Sequence, residues 1–272
     1  MEAMMKNVLL LVHDDEGQEA RLQAALDLTR ALDGHLSCVD VTLFPALVGD
    51  IYSPGIAEAA LLTAERERES KNKNKAALEA RLAHEDVCWD WVDVTGNFVD
   101  GVCDAATLSD IIVLNRQLDH FPYPDMRDVA SCVLMRARVP IVAVPDDCRR
   151  LDLRRALVAW DGQASVAATL RACVPLLQRA EAVEIFTAGD GAVGVDPRLA
   201  AEYLSRHGVH ATVRVVENGS QAADQLIEGA AVAFDFDYVL MGAYSHGRLM
   251  ETFGGVTKRM LRNAKLPLIL GH

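Results

Sequence analysis

The stretch with the most chemical potential is GAYSHGRLMETFGGVTKRML, residues 242–261. An apolar run closes at Met241 and Gly242, a loop carries Ser245 and His246, and Gly254-Gly255-Val256-Thr257 then opens an amphipathic helix. Glycines let a backbone approach a ligand without a Cβ in the way. A helix start offers free N–H groups and a partial positive charge, which suits a phosphate. Arg248, Lys258 and Arg259 keep the neighbourhood cationic. The candidate binding residues are therefore Gly242, Ser245, Gly254, Gly255, Val256 and Thr257. Asp161 closes another apolar run. The plainer alternative is that these glycines only make tight turns.

Other chemistries fare worse. Asp14-Asp15 resembles the acid pair of a phospho-receiver, but that design also needs a late lysine, and the first half has none after Lys75. Ser245 sits in AYSHG, which is not the G-x-S-x-G elbow of a hydrolase. His207 and His210 have a spacing that admits a metal, but no third ligand accompanies them. His13 ends a strand and reads as a cleft-rim residue. No residue set supports catalysis, so the expectation is a binding protein without a metal centre.

Elements must position these residues, and the composition sets their number. The chain has 272 residues, 51% hydrophobic and 24% charged, which suits two compact domains and excludes global disorder. The net charge of −12 argues against a nucleic-acid partner. Residues 1–148 carry 13 basic and 26 acidic side chains, and residues 149–272 carry 14 and 13, so an anionic ligand belongs in the second half. Six widely spaced cysteines lack metal or disulfide patterning, no apolar run is long enough to span a bilayer, and no signal segment opens the chain. The expected location is the cytoplasm.

The chain repeats itself. VLMRARVP (133–140) followed by IVAV matches MLRNAKLP (260–267) followed by LIL, at an offset of 127. The same offset aligns Asp110 with Asp237, while NVLLLVHD aligns with RRALVAWD at 147, setting Asp14 against Asp161. Each half alternates short apolar runs with helical patterns. Strands are predicted at 8–13, 36–41, 87–94, 110–114 and 141–144, then 155–160, 182–187, 209–216, 238–241 and 268–270. The fold class is α/β. Two tandem domains, 1–148 and 149–272, each carry a five-stranded parallel sheet with helices on both faces. They are expected to pack as a pseudo-dimer within one chain, with room for a further homodimer. An apolar insertion at 44–64 reads either as a buried cap or as a pocket wall.

AWDG around Asp161, MGAYSHGR, GGVTKRML and the last LP-strand resemble the universal stress proteins, in two copies covering essentially the whole chain. The resemblance implies an adenine-nucleotide alpha-hydrolase-like fold, ATP as ligand, and the signature G-x2-G-x9-G-[ST]. Asp161 and Gly242 match that pattern, and Ser245 stands where the second glycine belongs. Either Gly254 or Gly255 closes the spacer, with the hydroxyl moved to Thr257. In the first half the corresponding positions are Asn115, Leu118, Arg127 and Asp128, so that site is expected to be lost. The implied function is a stress-response regulator with one nucleotide site in the second half. The alternative is a scaffold holding an apolar small molecule near 44–64.

Overall fold

The computed structural model describes residues 5–43, 54–115, 126–189, 194–217, 219, 221–243 and 255–272. In the first half, strands β1 (Asn7–Val12), β2 (His35–Leu43), β3 (Cys88–Gly96), β4 (Ile111–Asn115) and β5 (Ile141–Val144) alternate with helices α1 (Gln18–Leu32), α2 (Pro54–Leu82), α3 (Phe98–Ala105) and α4 (Met126–Ala137). In the second half, β6 (Arg155–Ala159), β7 (Ala182–Ala188), β8 (Ala211–Val216), β9 (Tyr238–Gly242) and β10 (Leu268–Gly271) alternate with α5 (Ala164–Ala172), α6 (Val174–Leu177), α7 (Pro197–Arg206), α8 (Ala223–Ala233) and α9 (Gly255–Asn263).

The inner runs are strands because they are short, rich in Val, Ile and Leu, and apolar on both faces, which only a sheet covered on both sides can bury, whereas the edge strands β3 and β8 stay partly exposed. β5, β9 and β10 are buried along their whole length. The helical segment after β6 divides at Cys173 into α5 and α6, because Pro175 has no N–H to donate to the preceding turn. Helix α2 begins at Pro54, so 54–64 is the first part of a 29-residue helix. Residues 44–53 lie outside the described residues.

All ten strands form one sheet, in the order β3-β2-β1-β4-β5-β10-β9-β6-β7-β8. Each half is a five-stranded parallel sheet, and the two meet through the antiparallel pair β5–β10. Val142 pairs with Ile269, its own counterpart at the 127 offset, and Ala143 with Leu268 while Ile141 pairs with Leu270. That is the self-complementary contact of a two-fold dimer, made here within one chain. Two apolar layers run along the two faces, each drawing on both halves: one holds Leu10, Leu26 and Leu176, the other Leu11, Leu134 and Leu261.

The repeat extends to polar detail. Asp110 takes the backbone N–H of Asn7 at 2.8 Å, and Asp237 takes that of Arg155 at 2.8 Å, each tying the entry of its fourth strand to the entry of its first. In the first layer the Tyr238 hydroxyl is buried without a hydrogen-bond partner, and burial raises its pKa well above the usual range. An unpaired buried hydroxyl is a net cost. Tyr238→Phe is therefore expected to stabilise the protein by about 1 kcal/mol, read as an upward shift of the urea midpoint. A loss of stability would mean that the hydroxyl is satisfied.

Candidate functional site

In a sheet of this topology ligands bind beyond the carboxyl ends of the strands, where the strand order reverses. In the second half that point lies between β6 and β9, whose last paired residues are Ala159 and Met241. Asp161 and Gly242 therefore stand at neighbouring strand ends. Asp161 is exposed, and its carboxylate accepts the Gln163 N–H at 3.0 Å, shaping the turn into α5.

Gly242 is a glycine for a reason the sequence did not disclose. A Cβ there would lie 2.5 Å from the Val166 nitrogen and 2.6 Å from Ser165 Oγ. The missing side chain makes room for the first turn of α5. Gly255 is different: it is exposed at the start of α9, and an added Cβ would meet only the end of the Arg259 side chain, at 2.9 Å. Val256 is half-buried, and Thr257 is buried in the first turn. Ser245 and Gly254 lie outside the described residues, as do His246 and Arg248. Of the flanking cations, Lys258 is exposed, whereas Arg259 is engaged with buried Asp224 at 2.6 Å and holds that carboxyl below its usual range.

A cavity of about 620 Å³ lies alongside, between β7, β8 and the start of α7. Thr187, Val213, Val215, Gly194 and Arg198 line it. The Thr187 hydroxyl is buried and has no hydrogen-bond partner. The cavity wall is fastened to the Asp161 turn, since the Val195 N–H donates to the Gly162 carbonyl at 2.9 Å and Trp160 Nε1 donates to the Val195 carbonyl at 2.8 Å. Sequence reasoning missed this cavity.

The first half differs, beginning with its register. Val8 pairs with Ile111 as Ala156 pairs with Tyr238, and Leu9 and Leu11 face the same apolar layer as Leu157 and Ala159. Since β4 and β9 correspond at 127, β1 and β6 correspond at 148, not 147. A slip of one residue would turn every side chain to the other face. The counterpart of Asp161 is therefore His13, not Asp14. His13 is buried, with its ring edge-on to Phe98 at 6.4 Å between centroids. Burial pushes its pKa down from 6.5 to about 4, which Asp15 opposes and Arg21 and Lys71 reinforce.

Two cations close this crevice from within. Arg21, whose side chain is 1% exposed, reaches back from α1 and donates to the Leu11 carbonyl at 3.3 Å and the His13 carbonyl at 2.9 Å. It also forks onto both Asp15 oxygens at 2.8 and 3.0 Å. Lys71, from α2, donates to Asp40 and to the Val41 carbonyl, each at 2.9 Å, and to Thr42 Oγ1 at 3.0 Å. Gln18 and Asn74 exchange two amide bonds of 2.8 Å, fastening α2 across the start of α1. Of the expected first-half counterparts, Leu118 lies outside the described residues. His207 lies tilted against Tyr203, 4.7 Å between ring centroids, and among the described residues no group of three His, Cys, Asp or Glu could hold a metal. No helix among them is long and apolar enough to cross a membrane.

No family model and no curated protein sequence matches this chain. Solved structures do. A universal stress protein from Archaeoglobus fulgidus DSM 4304 superposes with a TM-score of 0.70 at 15% identity, covering 98% of both chains. A putative universal stress protein from Pseudomonas aeruginosa UCBPP-PA14 gives 0.56 at 14% identity, covering 99% of this chain and 95% of that one. A protein of unknown function from Pseudomonas aeruginosa PAO1 gives 0.55 at 13% identity, covering 99% and 92%. With five parallel strands on either side of an antiparallel seam and this superposition along nearly its full length, the chain has the fold of the universal stress proteins in tandem form.

Proposed function

We propose that this chain is a tandem universal stress protein that binds one nucleotide, ATP in the first instance, in its second half and acts as a ligand-responsive regulator. The observation that carries the reading is the contrast between the two crevices. The first is filled by Arg21 and fastened by Lys71, whereas the second pairs an exposed helix start at Gly255 with an exposed acceptor at Asp161 and an adjoining cavity. A phosphate fits the start of α9, where the N–H groups of Gly255, Val256 and Thr257 have no partner within the helix and Lys258 adds positive charge. Asp161 would accept a hydrogen bond from the ribose or base end. These residues bind and orient. All six cysteines are free thiols, in keeping with a reducing, cytoplasmic setting.

Calorimetric titration tests this reading, with one ATP per chain as the expected result. Gly255→Asp would set a carboxylate against the phosphate. A repulsion of about 4 kcal/mol at 4 Å and an effective dielectric near 20 would follow if it stood alone. Arg259, within 2.9 Å of the added Cβ, offsets part of it. The expected loss is therefore roughly ten- to a hundredfold in affinity, about 1.4–2.7 kcal/mol. Two ATP per chain, or unchanged affinity in the variant, would overturn the assignment.

A second reading rests on the valine-lined cavity. Val213 and Val215 offer an apolar wall, and Asp196 and Arg198 polar groups, for a small largely apolar molecule. Native mass spectrometry of the purified protein separates the two readings by the mass of what it carries.

A further inference from the structure

We propose a second binding site, for a small phosphorylated anion, in the groove where the connection from β5 to β6 passes between α1 and α6. It is independent of the nucleotide reading and uses none of the same residues. The connection runs extended across this region. Leu151 and Leu153 are buried in the apolar layer, so the alternate residues Arg150, Asp152 and Arg154 turn outward. Its path is fixed by the Leu151 N–H, which donates to Asp27 of α1 at 2.9 Å. The result is a groove of about 380 Å³ lined by four arginines, Arg30, Arg150, Arg154 and Arg179, and by two carboxylates, Asp27 and Asp152.

Two of the four guanidinium groups in the groove are already engaged. Arg30 is consumed by Asp27, Glu85 and Asp86. Arg154 is consumed by Asp152 at 2.8 Å. Arg150 stands 3.8 Å from the same, already occupied, Asp152. Arg179, just beyond α6, has no ion pair or side-chain hydrogen bond with any described residue. Two guanidinium forks from two different elements are thus left over in one concave place, on a chain whose net charge is −12. The planar fork matches phosphate oxygens in pairs, and two forks suit a ligand with two phosphoryl groups. The groove is small, and the acidic remainder of the surface disfavours a nucleic-acid strand. An anion held there would join the connection between the halves to the end of α6.

The test is calorimetric titration of inorganic pyrophosphate at low salt, in a Gly255→Asp background so that the α9 site is weakened. One saturable pyrophosphate per chain is expected. Adding Arg150→Ala and Arg179→Ala should weaken it at least tenfold without moving the thermal midpoint of the free protein, since neither side chain has a close partner to lose. Lysine at both positions keeps the charge but not the fork, and should bind with intermediate affinity. Absence of saturable binding in the Gly255→Asp protein, or equal affinity after both arginines are removed, overturns the site. Neither result bears on ATP, which is titrated separately into the unmodified chain.

Discussion

Replacing Arg21 by Met is expected to cost about 3–5 kcal/mol of folding stability, the range for breaking a buried ion pair on one side. The side chain is 1% exposed and its partner Asp15 is 11% exposed, so water cannot take over what the guanidinium supplied. The loss has two parts. Asp15 keeps its bond from the Gly17 N–H at 2.7 Å but loses both contacts to the fork, and the carbonyls of Leu11 and His13 lose a donor. Urea unfolding of Arg21→Met measures the sum. The double variant Arg21→Met/Asp15→Asn should recover part of it, because the stranded charge is gone. A single variant within about 1 kcal/mol of the parent would be ordinary for a surface change and would mean that this guanidinium does not hold the first crevice closed.

The second large effect is a pH dependence set by His13. Its pKa lies near 4 in the folded chain against 6.5 for a free imidazole, chiefly because burial disfavours the charged ring. Between those two values the unfolded chain binds the proton and the folded chain does not, so stability falls as pH falls through that window. The full effect is about 3 kcal/mol, reached below pH 4, and nothing is lost above about pH 7. Carboxylates titrate nearby, so the informative quantity is the difference between the parent and His13→Phe, measured from pH 4 to 7.5. That difference should narrow on going to acid, in favour of Phe. A constant difference would mean that the ring is not held neutral by burial.

The sequence made the strands legible because each is a short apolar run, and the two proline-led last strands set the 127 offset through Pro140 and Pro267. It was less informative where a single residue decides. Pairing Asp14 with Asp161 followed residue type, whereas the structure follows the side on which each side chain is buried, and that puts His13 in the place. Gly242 fitted a ligand motif, yet its neighbour is the start of α5, which no spacing rule encodes. Arg21 left a faint signal, a charge one turn ahead of Ala25 and two turns ahead of Leu28 on an otherwise apolar helix face. Its meaning depended on carbonyls that only the folded sheet supplies. Of the candidate site residues, Asp161 and Gly242 stand at neighbouring strand ends, Gly255 to Thr257 form the first turn of α9, and Ser245 and Gly254 lie outside the described residues.

The antiparallel seam has a consequence for how this chain can change over time. Because β5 and β10 run in opposite directions, the first-half strands end at one margin of the sheet and the second-half strands at the other. The two crevices therefore open on opposite sides, with the breadth of the sheet between them. Substitutions can accumulate in one without disturbing the other, and a molecule approaching either margin meets only one of them. Duplication in this arrangement supplies a spare: one copy can harden into a support while its twin remains under selection for what it holds.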